Sequence, residues 1–189
     1  KRRYDAFARG SMHNLLKRLK RAGIKKTDFI LDYGCGNGLF VKFLKKRGYA
    51  SVIGYDPYVP DFCNLPEAKL FDCIVMNDVV EHVTNPRTIL QECYKMLKLG
   101  GLLYIGTADS EGVDMTNLEP HIMRLHQPFH RIIITQETLQ TLGAEIGTEL
   151  VRTYRRSYMD TFIPFANYRF LDEFSRALNY NMDKALDPV

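Results

Sequence analysis

Two acids and three alternating glycines stand where a cofactor could be held. In "ILDYGCGNGLF", residues 30–40, Gly34, Gly36 and Gly38 follow a short apolar run broken by Asp32. Glycine admits backbone conformations closed to other residues and lets a ligand come close to the chain. A second acid, Asp56, ends the next apolar run in "VIGYDPY", 18 residues beyond Gly38. A carboxylate placed there can accept hydrogen bonds from both hydroxyls of a ribose. The dinucleotide fingerprint G-x-G-x-x-G would require glycine at position 39, where Leu39 stands, and no G-K-S or G-K-T marks a P-loop.

Asp32 narrows the choice further. A carboxylate beside the glycine loop suits a ligand with positive groups better than a pyrophosphate. S-adenosylmethionine carries a sulfonium, an ammonium and a ribose, and no phosphate. Cys35 lies inside the loop, where only its backbone is needed.

The histidines are the candidates for chemistry on a second substrate. His82 sits in "VVEHV"; His121, His126 and His130 sit in "HIMRLHQPFHR". A hydroxyl acceptor must lose a proton as it is alkylated, and His82, His126 or His130 could take it. The alternative is that these imidazoles bond loop backbone or contact the cofactor. The H-x4-H-x3-H spacing has no carboxylate or cysteine patterned with it, so no metal site is expected.

These residues need elements to hold them. Residues 7–21 place Met12, Leu15, Leu16 and Leu19 on one stripe and read as an amphipathic helix ended by Gly23. Residues 29–31, 51–55, 71–76 and 102–106 read as strands. Residues 39–47 read as a helix closed by Gly48. Residues 86–99 read as a helix capped by Asn85, with Pro86 in its first turn and Gly100-Gly101 as its stop. Residues 135–143 form a last clear helix capped by Thr135, and 148–154 suit a late strand. Strands separated by helices predict a doubly wound, mostly parallel α/β sheet with helices on both faces. Ligands of such sheets bind at the carboxyl ends of the strands.

The 189 residues suffice for one domain, expected to comprise an N-terminal helix (1–27), a cofactor-binding core (28–108), a ligand-side loop (109–131) and a C-terminal part (132–189). That last part is dense in aromatics over 154–174, with Arg152, Arg155, Arg156 and Arg169 nearby. It suits an acceptor pocket or lid, a base-stacking surface, or a segment packing on itself. The helical spacing of Phe170, Phe174 and Leu178 favours self-packing for its end. Cys35, Cys63, Cys73 and Cys93 form no C-x-x-C pair, which points to a reducing, cytoplasmic setting. No apolar run is long enough for a membrane span. A net charge of +4 does not by itself imply nucleic acid, although basic residues cluster at 17–26 and 42–47. The opening Lys1-Arg2-Arg3, without methionine, leaves room for a longer parent chain.

Together, "ILDYGCGNGLF", "VIGYDPY", "FDCIVMNDVVEHV" and "MLKLGGLLYIGT" resemble the class I S-adenosylmethionine-dependent methyltransferases of Rossmann-like fold. Among these the chain is most similar to the type 11 and type 23 small-molecule groups, which include ubiquinone-biosynthesis O-methyltransferases. The likeness is strong over 28–108 and weaker over 126–150. It implies that Asp32, Tyr33 and the Gly34, Cys35, Gly36 and Gly38 backbone hold the methionine end. It implies Asp56 on the ribose, Pro57 or Tyr58 beside the adenine, and Asn77, Asp78 and Val79 lining the pocket, with S-adenosylhomocysteine as product. The family usually has a further helix and strand where this chain has only 57–70, so its adenine partner is open; Asp61 and Asn64 are candidates. The expected activity is methyl transfer to an oxygen or nitrogen of a small metabolite. An RNA or protein methyltransferase, a cofactor-binding protein without turnover, and an NAD-dependent dehydrogenase are the competing readings. No N-P-P-Y or D-P-P-Y box follows residues 71–76. The sequence sets no oligomeric state.

Overall fold

The computed structural model describes residues 2–65, 70–121 and 130–155. Its strands are β1 (Ile30–Tyr33), β2 (Val52–Tyr55), β3 (Phe71–Asn77) and β4 (Leu97–Gly106). They form one parallel sheet in the order β2-β1-β3-β4. The helices among the described residues are α1 (Arg2–Arg21), α2 (Leu39–Lys45), α3 (Pro86–Lys95) and α4 (Gln136–Glu145). Leu19–Arg152 make one compact unit that contains the whole sheet; residues 2–18 and 153–155 belong to a second unit.

The doubly wound arrangement follows from the pattern of burial. Side chains alternate between the two faces of a strand. Leu31, Tyr33, Ile74 and Met76 join Leu90 and Cys93 of α3 and Ile146 beyond α4 in one buried cluster. The alternate set, Ile30, Asp32, Cys73 and Val75, is buried on the opposite face. Strands covered on both sides need near-continuous apolar sequence, and β3 supplies it. Asp32 is the exception in β1, and that exception marks the site.

Most predicted elements are present, with informative differences. α1 starts earlier than residue 7, since no glycine or proline interrupts 2–9. Leu15, Leu16 and Leu19 of its stripe are buried. Gly38, at φ 68°, caps α2 without any side-chain bond, and Gly48 at φ 86° closes the turn after it. Asn85 accepts from Thr88 N and Thr135 from Thr138 N, so both predicted caps are in place. α3, however, ends at Lys95 and not at residue 99. Leu97 pairs with Phe71 and begins β4; the ladder then skips to Cys73 and Leu102. The intervening 98–101 bulge outward, with Gly100 at φ 75°. Gly100-Gly101 therefore shape the entry of a strand and do not stop a helix. Gly101 also has no room for a side chain: a Cβ there would lie 2.9 Å from Lys98 O and 3.1 Å from Phe71 O.

Residues 148–154 are not a strand. They have no ladder partner among the described residues, and Leu150 and Val151 are exposed. Residues 57–70 contain only a short 3-10 turn, Pro60–Phe62, among the described residues, so the abbreviation read from sequence is real there. No helix of the described residues is long and apolar enough to cross a membrane. The aromatic segment 156–174, with Arg156, Arg169, Phe170 and Phe174, and also Leu178, lies outside the described residues.

Asn85→Ala should lower stability by about 1 kcal/mol through the lost cap. A reduced urea midpoint with unchanged ligand binding would bear this out.

Candidate functional site

Parallel pairing of β1 with β2 brings the glycine loop and Asp56 to the same end of the sheet. Tyr33 pairs with Tyr55, and Gly34 and Cys35 both donate to Tyr55 O, at 2.7 and 3.0 Å. Gly34, Gly36 and Gly38 all have positive φ, at 78°, 52° and 68°. Their surroundings differ. A Cβ on Gly34 would meet Val79 Cγ2 at 2.5 Å, and one on Gly38 would meet the Phe62 ring at 2.4 Å. A Cβ on Gly36 would meet nothing within 4 Å. Gly34 and Gly38 are thus glycines for packing, and Gly36 leaves open space over the backbone.

The Asp56 carboxylate is fixed at this place by two backbone donors, Gly36 N and Tyr58 N, each at 3.0 Å. Asp56 N in turn donates to Phe62 O at 2.9 Å. The 3-10 turn therefore folds back onto the loop and presses Phe62 against Gly38 and Gly54. Phe62 belongs to none of the sequence motifs. Its signal was position: an aromatic six residues past Asp56, in a segment too short for a helix and a strand. Pro57 is exposed and Tyr58 is 91% exposed beside Asp56. Asp61 and Asn64 are exposed as well.

Asp32 is buried at the mouth of this cradle, 6% exposed. Burial raises its pKa from 3.8 to about 7, with the charge of Asp56 adding to the effect. Tyr33 lies edge-on to Tyr55 at 5.0 Å, and burial raises its hydroxyl pKa. Burial also raises the Cys35 thiol to about 11, so it is no nucleophile, and its sulfur lies against Gly54.

β3 delivers the other wall. Asn77 Nδ2 donates to Asp78 Oδ2 at 2.7 Å, and Asp78 N donates to Gly106 O at 2.6 Å. Asp78 has φ 57°, the only positive φ of a non-glycine residue among those described. Val79 packs under Gly34, which gives it a structural share in the loop. The chain then turns so that Glu81 is buried, at 2% exposure, while His82 is exposed. Glu81 O accepts from Arg131 N at 2.8 Å and Ile132 N at 3.2 Å, which anchors His130. The His82 and His130 rings meet edge-on, centroids 4.9 Å apart. Each of Glu81, His82 and His130 offers a ligand atom, all within 4.8 Å of one another.

Two of the predicted bases thus come together, and a carboxylate joins them. Glu81 is connected to His130, 49 residues on, by no spacing rule. Its Oε2 is buried without a hydrogen-bond partner, as is Thr107 Oγ1. Burial pushes the Glu81 pKa up, opposed by its own backbone amide and by the Thr107 hydroxyl. An unsatisfied buried carboxylate oxygen is costly, and a proton, a cation or a donor from a bound molecule would relieve it. Glu81, Asp109, Ser110 and His130 line a cavity of about 10 Å³, room for one water-sized group. The three donors could also hold a divalent cation, since the carboxylate missing from the histidine spacing is supplied by the fold. His121 lies in a second 3-10 turn, Glu119–His121, half-buried. His126 lies outside the described residues.

The chain is a doubly wound α/β domain whose parallel sheet carries a glycine loop, Asp56 and the Glu81, His82 and His130 cluster beyond the carboxyl ends of its strands. Residues 4–153 match the methyltransferase domain family, and the chain belongs to that family. It is 37% identical to the mitochondrial ubiquinone biosynthesis O-methyltransferase of Rattus norvegicus, over 42% of this chain and 30% of that protein. It is 29% identical to the ubiquinone biosynthesis O-methyltransferase of Caulobacter vibrioides, over 49% of this chain and 47% of that one. The chain therefore spans less than half the length of these relatives. Its fold is shared with a SAM-dependent methyltransferase from Archaeoglobus fulgidus, at TM-score 0.56 and 22% identity over 93% of this chain and 88% of that one. The plantazolicin methyltransferase BpumL, solved with SAH, gives 0.59 and 18% over 99% and 82%.

Two variants test the cradle. Gly36→Ala should cost about 1–2 kcal/mol of stability from its left-handed backbone, yet abolish tight cofactor binding, because its methyl enters the open space. Calorimetry with S-adenosylhomocysteine, set beside thermal unfolding, separates the two effects. Asp32 is raised above its unfolded pKa, so the native state holds the extra proton between about pH 4 and 7 and loses stability as pH rises through that window. Asp32→Asn should remove this slope and stabilise the ligand-free chain at pH 8 by a few kcal/mol, on the order of the shift. The same variant should bind S-adenosylmethionine poorly.

Proposed function

We propose that this chain transfers a methyl group from S-adenosylmethionine to a hydroxyl of a small metabolite, releasing S-adenosylhomocysteine. The observation that carries the reading is the cluster of Glu81, His82 and His130, formed where the turn after β3 meets the loop before α4. An amine acceptor need only be neutral, whereas a hydroxyl must give up a proton, and a base cluster answers that need.

The cradle fits the donor. The open backbone over Gly36 and the buried Asp32 suit a cationic methionine end. Asp56, already aligned by Gly36 N and Tyr58 N, presents its remaining lone pairs to a ribose. In this reading Pro57 and Tyr58, both exposed beside Asp56, flank the adenine, and Asn77, Asp78 and Val79, at and beyond the end of β3, line the cofactor pocket. When bound, the donor supplies a methyl already activated on sulfur. The protein's part is then placement and proton removal. Asp32 keeps its charge once a cation lies beside it. His130, next to the Arg131 and Ile132 amides that bond the Glu81 carbonyl, receives the acceptor proton, and His82 packs against it. The four cysteines are free thiols, which supports a reducing compartment such as the cytoplasm.

The test is methyl transfer from labelled S-adenosylmethionine to matched panels of phenols, catechols and amines. Transfer confined to hydroxyls is expected; transfer confined to amines would overturn the assignment. His130→Ala should lower kcat by about 100-fold or more with the cofactor Kd unchanged. Equal rates with and without a chelator identify the imidazole as the base, and loss with the chelator places a cation among the same three residues.

A further inference from the structure

The opposite end of the sheet has a character of its own. Ten of the chain's 26 Lys and Arg residues fall in 17–49, against two of its 22 Asp and Glu residues, one of them the buried Asp32. Within the sheet-bearing unit, Lys20, Lys25, Lys26, Lys45, Lys46 and Lys95 are exposed and engage in no ion pair among the described residues.

The topology gathers them. α2 and α3 end, and β1 begins, at the amino ends of the strands. The Lys26 side chain lies beside Gly48, 3.4 Å from where its Cβ would be, so the loop before β1 abuts the end of α2. Phe29 and Asp72 exchange hydrogen bonds at 2.8 and 2.9 Å, and Lys98 reaches Asp72 at 2.8 Å. These contacts carry the surface on to the bulge at 98–101. At its tip Leu99 is fully exposed, and Leu70, just before β3, is 52% exposed. The acids on this end are engaged, Asp28 by Lys25 N and Asp72 by Lys98.

Helix-terminal lysines offset the partial charge of helix ends, which accounts for Lys45 and Lys95. It does not account for Lys25 and Lys26 in a loop, or for a fully exposed leucine among cations. Phosphate-rich nucleic acid would use the lysines but leave Leu99 idle. Successive stacked bases would find one ring at most: Tyr49 and Phe71 are buried, Phe29 packs on Phe71 at 4.7 Å, and Tyr94 alone is partly open beside Lys95. Lysines around an apolar tip match a bilayer surface, with anionic headgroups over acyl chains. We propose that the amino end of the sheet docks on an anionic lipid surface, the lysines on headgroup phosphates and Leu99, with Leu70, at the acyl boundary. The cradle, at the carboxyl ends, then faces the solution.

The experiment is sedimentation of the full chain with vesicles of phosphatidylcholine alone or with about a third phosphatidylglycerol, at low and high salt. Binding is expected only to the anionic vesicles and only at low salt. Lys25→Gln/Lys26→Gln and Lys45→Gln/Lys46→Gln should each weaken it, about fivefold per lysine. Leu99→Ser should weaken it about tenfold with no change of charge. The pairs lie on different elements, so one reads out if the other fails to fold, and an unchanged unfolding midpoint qualifies each variant. Equal binding to neutral vesicles, none to anionic ones, or indifference to all three variants overturns the proposal. Duplex RNA that displaces the vesicles, and binds the Leu99→Ser chain as well as the parent, would reassign the face to nucleic acid.

Discussion

One charged hydrogen bond organises the cofactor end of this molecule: the Asp56 carboxylate on the amide of Gly36, at 3.0 Å. It joins the loop that follows β1 to the residue that follows β2. A loop of alternating glycines has a large conformational entropy to lose, and this bond opposes that loss together with the Phe62 ring on Gly38. The link exists only because β1 and β2 pair in parallel and in a register that ends both at Tyr33 and Tyr55. A shift of that register would reverse which residues of β1 face Ile30's side and would separate Asp56 from the loop.

Against that stabilising bond stand two buried acids whose environments cost the folded state. Asp32 carries a pKa near 7 and Glu81 an unpartnered oxygen. Asp32 lies in β1 just before the glycine loop, and Glu81 in the turn after β3. A sheet whose core is otherwise apolar retains such groups at a free-energy cost when a ligand supplies what they lack. The two deficits differ. Asp32 lacks a counter-charge, which a cationic donor brings. Glu81 has one oxygen without a partner, beside the Thr107 hydroxyl, and it sits with two imidazoles.

Features set by near neighbours were legible in the sequence. Asn85 and Thr135 cap their helices because the caps bond amides three residues on, and the G-x-G-x-G loop announces itself by what its positions must lack. Features set by distant neighbours were not. Ile89, Cys93 and Leu97 keep a helical spacing, so the helix reads past its true end; pairing of Leu97 with Phe71 overrides that period. Residues 148–154 have strand-like composition but no strand beside them to pair with. Glu81 and His130 become partners only when the turn after β3 and the loop before α4 exchange backbone bonds. Those bonds leave no trace in local spacing.

The short 57–70 link has a consequence for how the chain folds. β2 and β3 are separated by a segment with one 3-10 turn among its described residues, which shortens the 34–70 stretch that must close before β1 and β3 can pair. Halving such a loop lowers its closure entropy by only about 0.6 kcal/mol, yet it also lowers the mean sequence separation of native contacts. The same economy removes the element that would flank β2 on its far side. β2 is thereby left as an outer strand of four residues among those described, with one row of peptide groups turned away from the sheet. Its brevity limits the template it offers for unwanted pairing with another chain.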